Sequence, residues 1–316
     1  MRDALKTTYV AFAVVVLMSA CAAHSVGEED YGLIDDEIGT PESPRDGIFP
    51  VDEKGFPLKR NRSGRATVAC INGIPDRCRN MVNGVAEFWR RNSRGALDLE
   101  YTPGEKGDHV FNVRGSANTS HSLTSYQLDV AAHEMGHRLG LNHASLMWRK
   151  RSVDAHRRAG KSAPDFSTVM NGVAKGLRYL NAANYYFMGW LPPDEVVLHD
   201  RKEATYELKR VSDFEGDGLS AVIVMPSMWN ADNPAMGMPV FISFPPSGEC
   251  TGPNISQCVV ADFLTLGGGT RQIVNWSGEE EFYDDTVAKT GIRIRVLPGG
   301  DDKKIKVSVR VDPISL

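Results

Sequence analysis

Three histidines and one glutamate lie within eleven residues of the chain, in the order His133, Glu134, His137 and His143. His133 and His137 are four residues apart, so on a helix both imidazoles project from one face and can bind one zinc ion. Glu134 then stands beside the metal rather than on it, where a carboxylate suits a general base for zinc-bound water. Gly140 can end the helix so that His143 returns as a third ligand. The spacing predicts a site for one catalytic Zn²⁺ with an open position for water.

A helix must carry the first two histidines, and the sequence supplies one. Thr124 and Gln127 have the spacing of a capping box, which predicts a helix that runs to Leu139. Around it, apolar residues recur with the periods of strands and amphipathic helices. We predict strands at 66–71, 96–101 and 110–113, and helices at 79–91 and 181–188. Residues 110–114 are the candidate for an exposed sheet edge, to which a peptide could add as a further strand. The alternative is a simple buried strand.

The character of the sequence changes after Pro193. Short, β-branched segments follow, divided by Gly, Pro and Asp, at 204–208, 221–225, 240–244, 272–276, 291–297 and 304–311. This pattern is typical of a β-sandwich. The sequence therefore predicts an α+β fold, with a catalytic domain at 65–193 followed by a β-sandwich-like C-terminal domain at 194–316.

The segment from His133 to His143 resembles the signature of the metzincin clan of zinc metallopeptidases, H-E-x-x-H-x-x-G-x-x-H followed by a Met-turn. The resemblance implies a catalytic domain with a twisted sheet and an active-site helix, with the three histidines as zinc ligands and Glu134 as the base. It also implies a methionine that packs beneath the metal without binding it. The candidate is Met170, in the run Ser-Thr-Val-Met-Asn-Gly at 167–172, and Met147 is a weaker rival because it lies close to His143.

Within this clan the chain is similar to gametolysin-type peptidases over about residues 66–190. The similarity rests on Asp-Phe-Ser-Thr-Val-Met at 165–170, Leu-Asn-Ala-Ala-Asn at 180–184 and Met-Gly-Trp at 188–190. Two residues depart from the family pattern. Asn171 follows the methionine where this group usually has glycine, and Gly172 occupies the place at which astacin-like and serralysin-like relatives have a tyrosine. A switching tyrosine ligand is therefore not expected.

The first 21 residues predict an export signal. Arg2 and Lys6 precede an apolar run at 9–20, which is too short for a transmembrane helix of about 20 residues. The ending Met-Ser-Ala-Cys at 18–21 resembles a bacterial lipoprotein box, which implies lipidation of Cys21 and attachment to a membrane. The alternative is an ordinary signal cleaved within 20–23. Either interpretation predicts an exported protein, as a cell-envelope lipoprotein (outer membrane or cell surface) or a secreted protein.

Residues 22–64 are predicted to be an acidic, proline-containing tether. Ten acidic residues stand against five basic ones, and the segment has no sustained apolar periodicity, so we expect it to be extended and solvated.

Four cysteines remain beyond Cys21. An even number in an exported chain suggests two disulfides, with three possible pairings. The spacing favours the local pairs Cys70–Cys78 and Cys250–Cys258. A zinc–thiolate site is disfavoured because the chain has no C-x-x-C pair.

Composition limits the classes of function. Hydrophobic residues make up 41% and charged residues 24% of the chain, which is ordinary for a globular protein. The net charge of −4 argues against a nucleic acid as partner. The sequence thus predicts an exported zinc endopeptidase with a protein or peptide substrate. The alternatives are a non-catalytic cell-surface binding module or adhesin with a vestigial metal site, and a zinc amidase with a narrow cell-wall or peptide substrate.

Overall fold

The computed structural model describes residues 51–113, 122–123, 127–146, 163–164, 168–171, 177–225, 238–246, 258–265, 267–276, 280–283 and 290–312. These residues belong to one compact unit, Gly32–Leu316. Within them the fold is α+β and mostly sheet, with three α-helices and three β-sheets. The predicted fold class is therefore confirmed at this level.

The first sheet is parallel, and its buried side chains share one core with the two longest described helices. Its strands are β1 (Gly64–Ile71), β2 (Leu97–Tyr101), β3 (His109–Val113) and β4 (Ser122–Leu123), in the order β2-β1-β3-β4. The helices are α1 (Pro75–Asn92) and α2 (Leu128–Arg138). Helix α1 buries Met81, Val85 and Trp89, as their spacing predicts, because these residues recur on one side of a helix. They form a core with Phe111 and Val113 of β3.

Strand β3 does not form the sheet edge that the sequence predicts. Asn112 pairs with Ile71 of β1 on one side and with Ser122 of β4 on the other. The interpretation of 110–114 as a peptide-binding edge is therefore wrong within the described residues, because a neighbouring strand already occupies that side at Asn112 and Val113. Arg114 lies outside the described residues.

Two further sheets contain the remaining strands. The seven-stranded sheet has the order β6-β5-β12-β11-β10-β9-β7, with β5 (Ala144–Leu146), β6 (Ala163–Pro164), β7 (Val196–Leu198), β9 (Ala221–Val224), β10 (Val240–Ser243), β11 (Val259–Leu264) and β12 (Thr270–Trp276). The four-stranded sheet is antiparallel, in the order β13-β14-β15-β8, with β8 (Glu203–Lys209), β13 (Phe282–Tyr283), β14 (Ile292–Leu297) and β15 (Lys304–Val311).

The seven-stranded sheet is covered on both faces. Val222 and Val224 of β9 join a core with Ile305 and Val307 of β15, so the two sheets pack face to face. Because side chains alternate along a strand, Ile223 points to the other face, and it joins the core of α1, α2 and the first sheet. The middle strands are consequently buried on both sides, and β11 is buried at all six positions.

One sheet contains strands from both predicted domains. Strand β5 precedes residue 193, yet it pairs in parallel with β12, with Ala144 opposite Thr270 and Leu146 opposite Gln272. The boundary between 193 and 194 thus divides the chain but not the sheet. That residues 65–193 and 194–316 fold as separate domains stays a prediction.

The last part of the predicted tether is packed against the body of the protein. We call residues 51–63 the strap. It lies against α3 (Ala182–Phe187) and the residues that follow this helix. The Tyr186 hydroxyl donates to the Pro57 carbonyl at 2.7 Å, and Trp190 Nε1 donates to the Arg62 carbonyl at 2.6 Å. The prediction of a solvated tether therefore fails for the strap, because buried aromatic donors bind its backbone. Residues 22–50 lie outside the described residues.

The disulfide predictions have two outcomes. Cys70 at the end of β1 is bonded to Cys78 in the first turn of α1, which confirms that pair. Cys258 is disulfide-bonded, but Cys250 lies outside the described residues, so the Cys250–Cys258 pairing stays a prediction. The signal segment with Cys21 also lies outside them. No helix in the described part of the chain is both long and apolar enough to span a membrane.

Candidate metal centre

Helix α2 carries His133 and His137 and ends where the sequence predicts. Gly140 has φ +93°, its N–H donates to the His137 carbonyl at 3.0 Å, and the Leu141 N–H donates to the Gly136 carbonyl at 2.9 Å. This is the Schellman arrangement, in which a left-handed glycine closes a helix. The predicted start is wrong, because α2 begins at Leu128 and its N-cap is Gln127, without a side-chain capping bond. Thr124 lies outside the described residues.

The turn at Gly140 brings the third histidine back to the first two. The Nε2 atoms of His133, His137 and His143 are separated by 3.0, 3.1 and 3.3 Å. A zinc ion binds histidine nitrogen at about 2.0–2.1 Å, and a tetrahedral arrangement then places two such nitrogens about 3.3 Å apart. The three histidines therefore fit a zinc ion without rearrangement. They form the one group of this kind in the described ranges.

Backbone carbonyls orient two of the rings. His133 Nδ1 lies 2.8 Å from the Val169 carbonyl, and His137 Nδ1 lies 2.8 Å from the Leu141 carbonyl. A carbonyl oxygen only accepts, so each Nδ1 carries the proton and donates. The lone pair of each Nε2 is then free to face the common point. Such bonds from the second ring nitrogen are the usual way in which proteins fix metal-binding histidines.

The surroundings favour the neutral form of two of these rings. Desolvation lowers the pKa of His143 to about 4, with further lowering by His137 and His133. Although the His143 residue as a whole is exposed, its Nε2 faces the other two rings. Burial, followed by the charge of His137, also lowers the pKa of His133. Neutral imidazole is the form that binds zinc.

Glu134 follows His133 on α2 and is not a member of the three-histidine group. Its negative charge raises the pKa of both His133 and His143 against the larger effects of desolvation. The side chain is half-buried. The role of Glu134 as a general base beside a metal stays a prediction.

Met170 lies in a turn that contacts the helix and the third ligand. The Thr168–Asn171 turn is closed by a bond from the Asn171 N–H to the Thr168 carbonyl at 3.2 Å. The Val169 carbonyl accepts from His133, and the Met170 carbonyl accepts from the Ala144 N–H at 2.8 Å, next to His143. The Met170 side chain is fully buried. The Met170 turn thus packs against α2 and lies next to His143, while the role of Met170 beneath a metal stays a prediction. Met147 lies outside the described residues.

The sequence does not predict the contact of Asn142, next to His143, with Gly267 and Gly268. Asn142 binds a glycine-rich hairpin between β11 and β12 that lies far along the chain. The run Gly267-Gly268-Gly269 is visible in the sequence, but nothing local indicates what it contacts.

The chain matches no protein-family model, and no curated protein or solved structure is significantly similar to it.

Proposed function

We propose that the chain is a zinc-dependent endopeptidase of metzincin-like type. The observation that carries this proposal is the convergence of three histidine Nε2 atoms within 3.0–3.3 Å of one another. Glu134 follows the first of these histidines on α2. The proposed fold is a metzincin-like catalytic domain, made of the parallel sheet and α2, followed by a β-sandwich-like region.

The proposed roles follow from where the side chains lie. His133, His137 and His143 would hold one Zn²⁺ and leave one position open. A bound zinc ion supplies Lewis-acid chemistry, because it polarises a carbonyl and lowers the pKa of its water towards about 7. Glu134 takes a proton from the attacking water and passes it to the leaving amine of the peptide. Met170 would pack beneath the three histidines and would take no part in metal binding or proton transfer.

We also propose that the protein works outside the cytoplasm. The signal-like first 21 residues support export, and the Cys70–Cys78 disulfide is typical of an oxidising compartment. Lipidation of Cys21 would attach the protein to a membrane. The proposed partner is a protein or peptide substrate.

The test compares the full chain with Glu134→Gln. Both proteins are assayed for zinc content and for cleavage of an unstructured protein such as casein. Because glutamine has the shape of glutamate but cannot accept the proton, we expect zinc in both proteins and turnover only in the parent, with a loss of at least about 100-fold in the variant. Glu105→Gln, at an exposed position between β2 and β3, should retain full activity.

Other outcomes would change the proposal. A folded parent without zinc would overturn it. Zinc in the parent without cleavage of casein would favour a zinc amidase with a narrow substrate, or a cell-surface binding module with a vestigial site. Equal turnover by Glu134→Gln would remove Glu134 as the base.

A further inference from the structure

The backbone on both sides of His143 is held by residues from the far end of the chain. We call Thr265 and residues 267–269, between β11 and β12, the glycine hairpin. The Thr265 N–H donates to the Gly269 carbonyl at 2.8 Å, and the Gly268 N–H donates to the Thr265 carbonyl at 3.0 Å, so the hairpin is closed by its own bonds.

Residue 142, just before the third histidine, binds this hairpin twice. Asn142 Nδ2 donates to the Gly267 carbonyl at 2.6 Å, and the Asn142 N–H donates to the Gly268 carbonyl at 3.4 Å. Ala144, just after the histidine, lies opposite Thr270 in the parallel pairing of β5 with β12. His143 is thus fixed at both neighbouring positions.

Two of the glycines leave room for the loop that carries His143. Gly268 has φ +73°, and a Cβ atom there would lie 2.8 Å from the Gly140 carbonyl oxygen. A Cβ atom at Gly269 would lie 3.0 Å from the His143 carbonyl oxygen. These two carbonyl oxygens belong to the backbone and cannot rotate away as the end of a side chain can. At Gly268 the same Cβ atom would also lie 2.4 Å from Cε1 of the Phe187 ring. A side chain at either position would therefore displace the loop.

The hairpin is itself held from a third side. Asn184 Nδ2 of α3 donates to the Gly268 carbonyl at 3.1 Å, and Asn181 Nδ2 donates to Thr270 Oγ1 at 2.7 Å. Asn184 is fully buried. The hairpin is therefore a fixed support, against which the more exposed loop of His143 is positioned.

We propose that the glycine hairpin sets the position of the third zinc ligand, with Gly268 and Asn142 as positioning residues. The β-rich segment after residue 193 is then a part of the metal centre, and zinc affinity depends on it. This inference rests on the proposed function in that it takes zinc as the ion, but it concerns metal binding and requires no peptidase activity.

The experiment measures zinc affinity, by competition with a chromophoric chelator, in the full chain and in Asn142→Ala and Gly268→Ala. Groups that orient metal ligands typically change metal affinity by about 10–100-fold. We expect the Kd for zinc to rise at least about tenfold in both variants. With Co²⁺ in place of zinc, the visible absorption spectrum should change, because the third ligand is misplaced. Far-UV circular dichroism should stay that of the parent.

Gly299→Ala is the matched control. Gly299 has φ +90° and nothing within 4 Å of a Cβ atom, so alanine brings the same type of backbone strain without an obstacle. Its Kd for zinc should equal that of the parent. If Gly268→Ala does not fold, Asn142→Ala decides, because Asn142 is exposed and its truncation removes only one bond to the hairpin.

The outcomes separate this inference from the proposed function. Folded Asn142→Ala and Gly268→Ala that bind zinc within twofold of the parent would overturn the role of the hairpin and leave the peptidase proposal intact. Weaker zinc binding in both, with Gly299→Ala unchanged, supports the inference even if no substrate is cleaved. A folded parent that binds no zinc would overturn both.

Discussion

Met170 packs against Gly136 so closely that a Cβ atom at position 136 would overlap its sulfur atom. Trp89 closes the same space from α1, with its Cζ2 atom 3.2 Å from that position. Gly136 lies one residue before His137, in the last turn of α2. The helix that carries two of the histidines therefore rests directly on the Thr168–Asn171 turn, and only glycine permits this distance.

Gly136→Ala should destabilise the protein, although alanine favours helices. Overpacking a closed core costs about 1–3 kcal/mol, which outweighs the gain of roughly 1 kcal/mol in helix propensity. In a Met170→Ala background the closest obstacle is gone and only Trp89 Cζ2 at 3.2 Å remains, so the same change should become clearly less destabilising. The free energies of unfolding of the four proteins in this cycle measure the coupling. Equal effects of Gly136→Ala in both backgrounds would show that the two residues do not interact.

Glu195→Gln should cost about 3 kcal/mol of unfolding free energy. The Glu195 carboxylate binds Arg94 at 2.5 and 2.7 Å and lies 3.1 Å from Lys209 Nζ, which is only 1% exposed. Neutralising one member of a buried ionic group leaves the other charges uncompensated. Urea unfolding measures the loss. Glu87→Gln, in the exposed Glu87–Arg90 pair, is the control and should change stability by less than about 1 kcal/mol.

The same carboxylate gives stability a defined dependence on pH. Burial alone raises the pKa of Glu195, but hydrogen bonds from Arg94, Ser220 and Lys209 more than compensate, and the net pKa is lowered. Its contribution is therefore complete above the ordinary glutamate pKa and is lost as the pH falls through the lowered value. We expect the stability difference between the parent and Glu195→Gln to shrink in acid. A difference that stays constant down to pH 2 would contradict this assignment.

His109 should make the fold sensitive to mild acid. It is 4% exposed, and neither ring nitrogen has a hydrogen-bond partner among the described residues. Burial, followed by the charge of Arg138, lowers its pKa to about 4, against a smaller opposing effect of Asp108. The unfolded chain binds this proton near pH 6.5, so stability falls as the pH drops from about 6.5 to 4, by up to about 3 kcal/mol.

His109→Leu isolates this contribution, because the other histidines titrate in both proteins. Unfolding free energies of the zinc-free parent and the variant, compared at pH 7 and pH 4, should show a smaller loss in the variant. Identical pH profiles would mean that His109 is not buried in its neutral form.

Removing the strap should destabilise the protein. A chain that begins at residue 65 loses the carbonyl partners of the Tyr186 hydroxyl and of Trp190 Nε1. At roughly 1 kcal/mol for each bond, we expect its unfolding free energy to fall by about 2 kcal/mol relative to a chain that begins at residue 51. Tryptophan fluorescence should shift to longer wavelength as Trp190 meets water. Tyr186→Phe in the full chain should reproduce about half of the loss, and unchanged stability in the shortened chain would show that the strap contributes nothing.

The sequence predicts the periodic elements to within a few residues, because each depends on a pattern that one segment carries by itself. Helix α1, with its apolar face at Met81, Val85 and Trp89, is one case. Strand β11 was not predicted, because burial on both faces removes the alternation and leaves the run Val-Val-Ala-Asp-Phe-Leu without a period. Sheet order was also beyond prediction, since pairing such as that of Asn112 with Ser122 depends on residues outside either strand.

Some residues of the candidate site can be identified from one segment of the sequence, and others cannot. His133, Glu134, His137 and His143 are identifiable from spacing alone, because a helix and one turn are enough to bring the histidines together. The carbonyl of Val169, which orients His133, comes from a separate turn and has no signature of its own. The contact of Asn142 with Gly267 joins positions that local patterns cannot relate.

The parallel pairing of β5 with β12 also has a consequence for the order of events during synthesis. The segment with all three histidines leaves the ribosome long before Thr270, yet the position of His143 depends on β12 being in place. Such pairing between distant segments forms slowly, because a long loop must close first. We therefore expect the nascent chain to remain unable to capture zinc in its final geometry until the β-rich part has been made and has folded onto it.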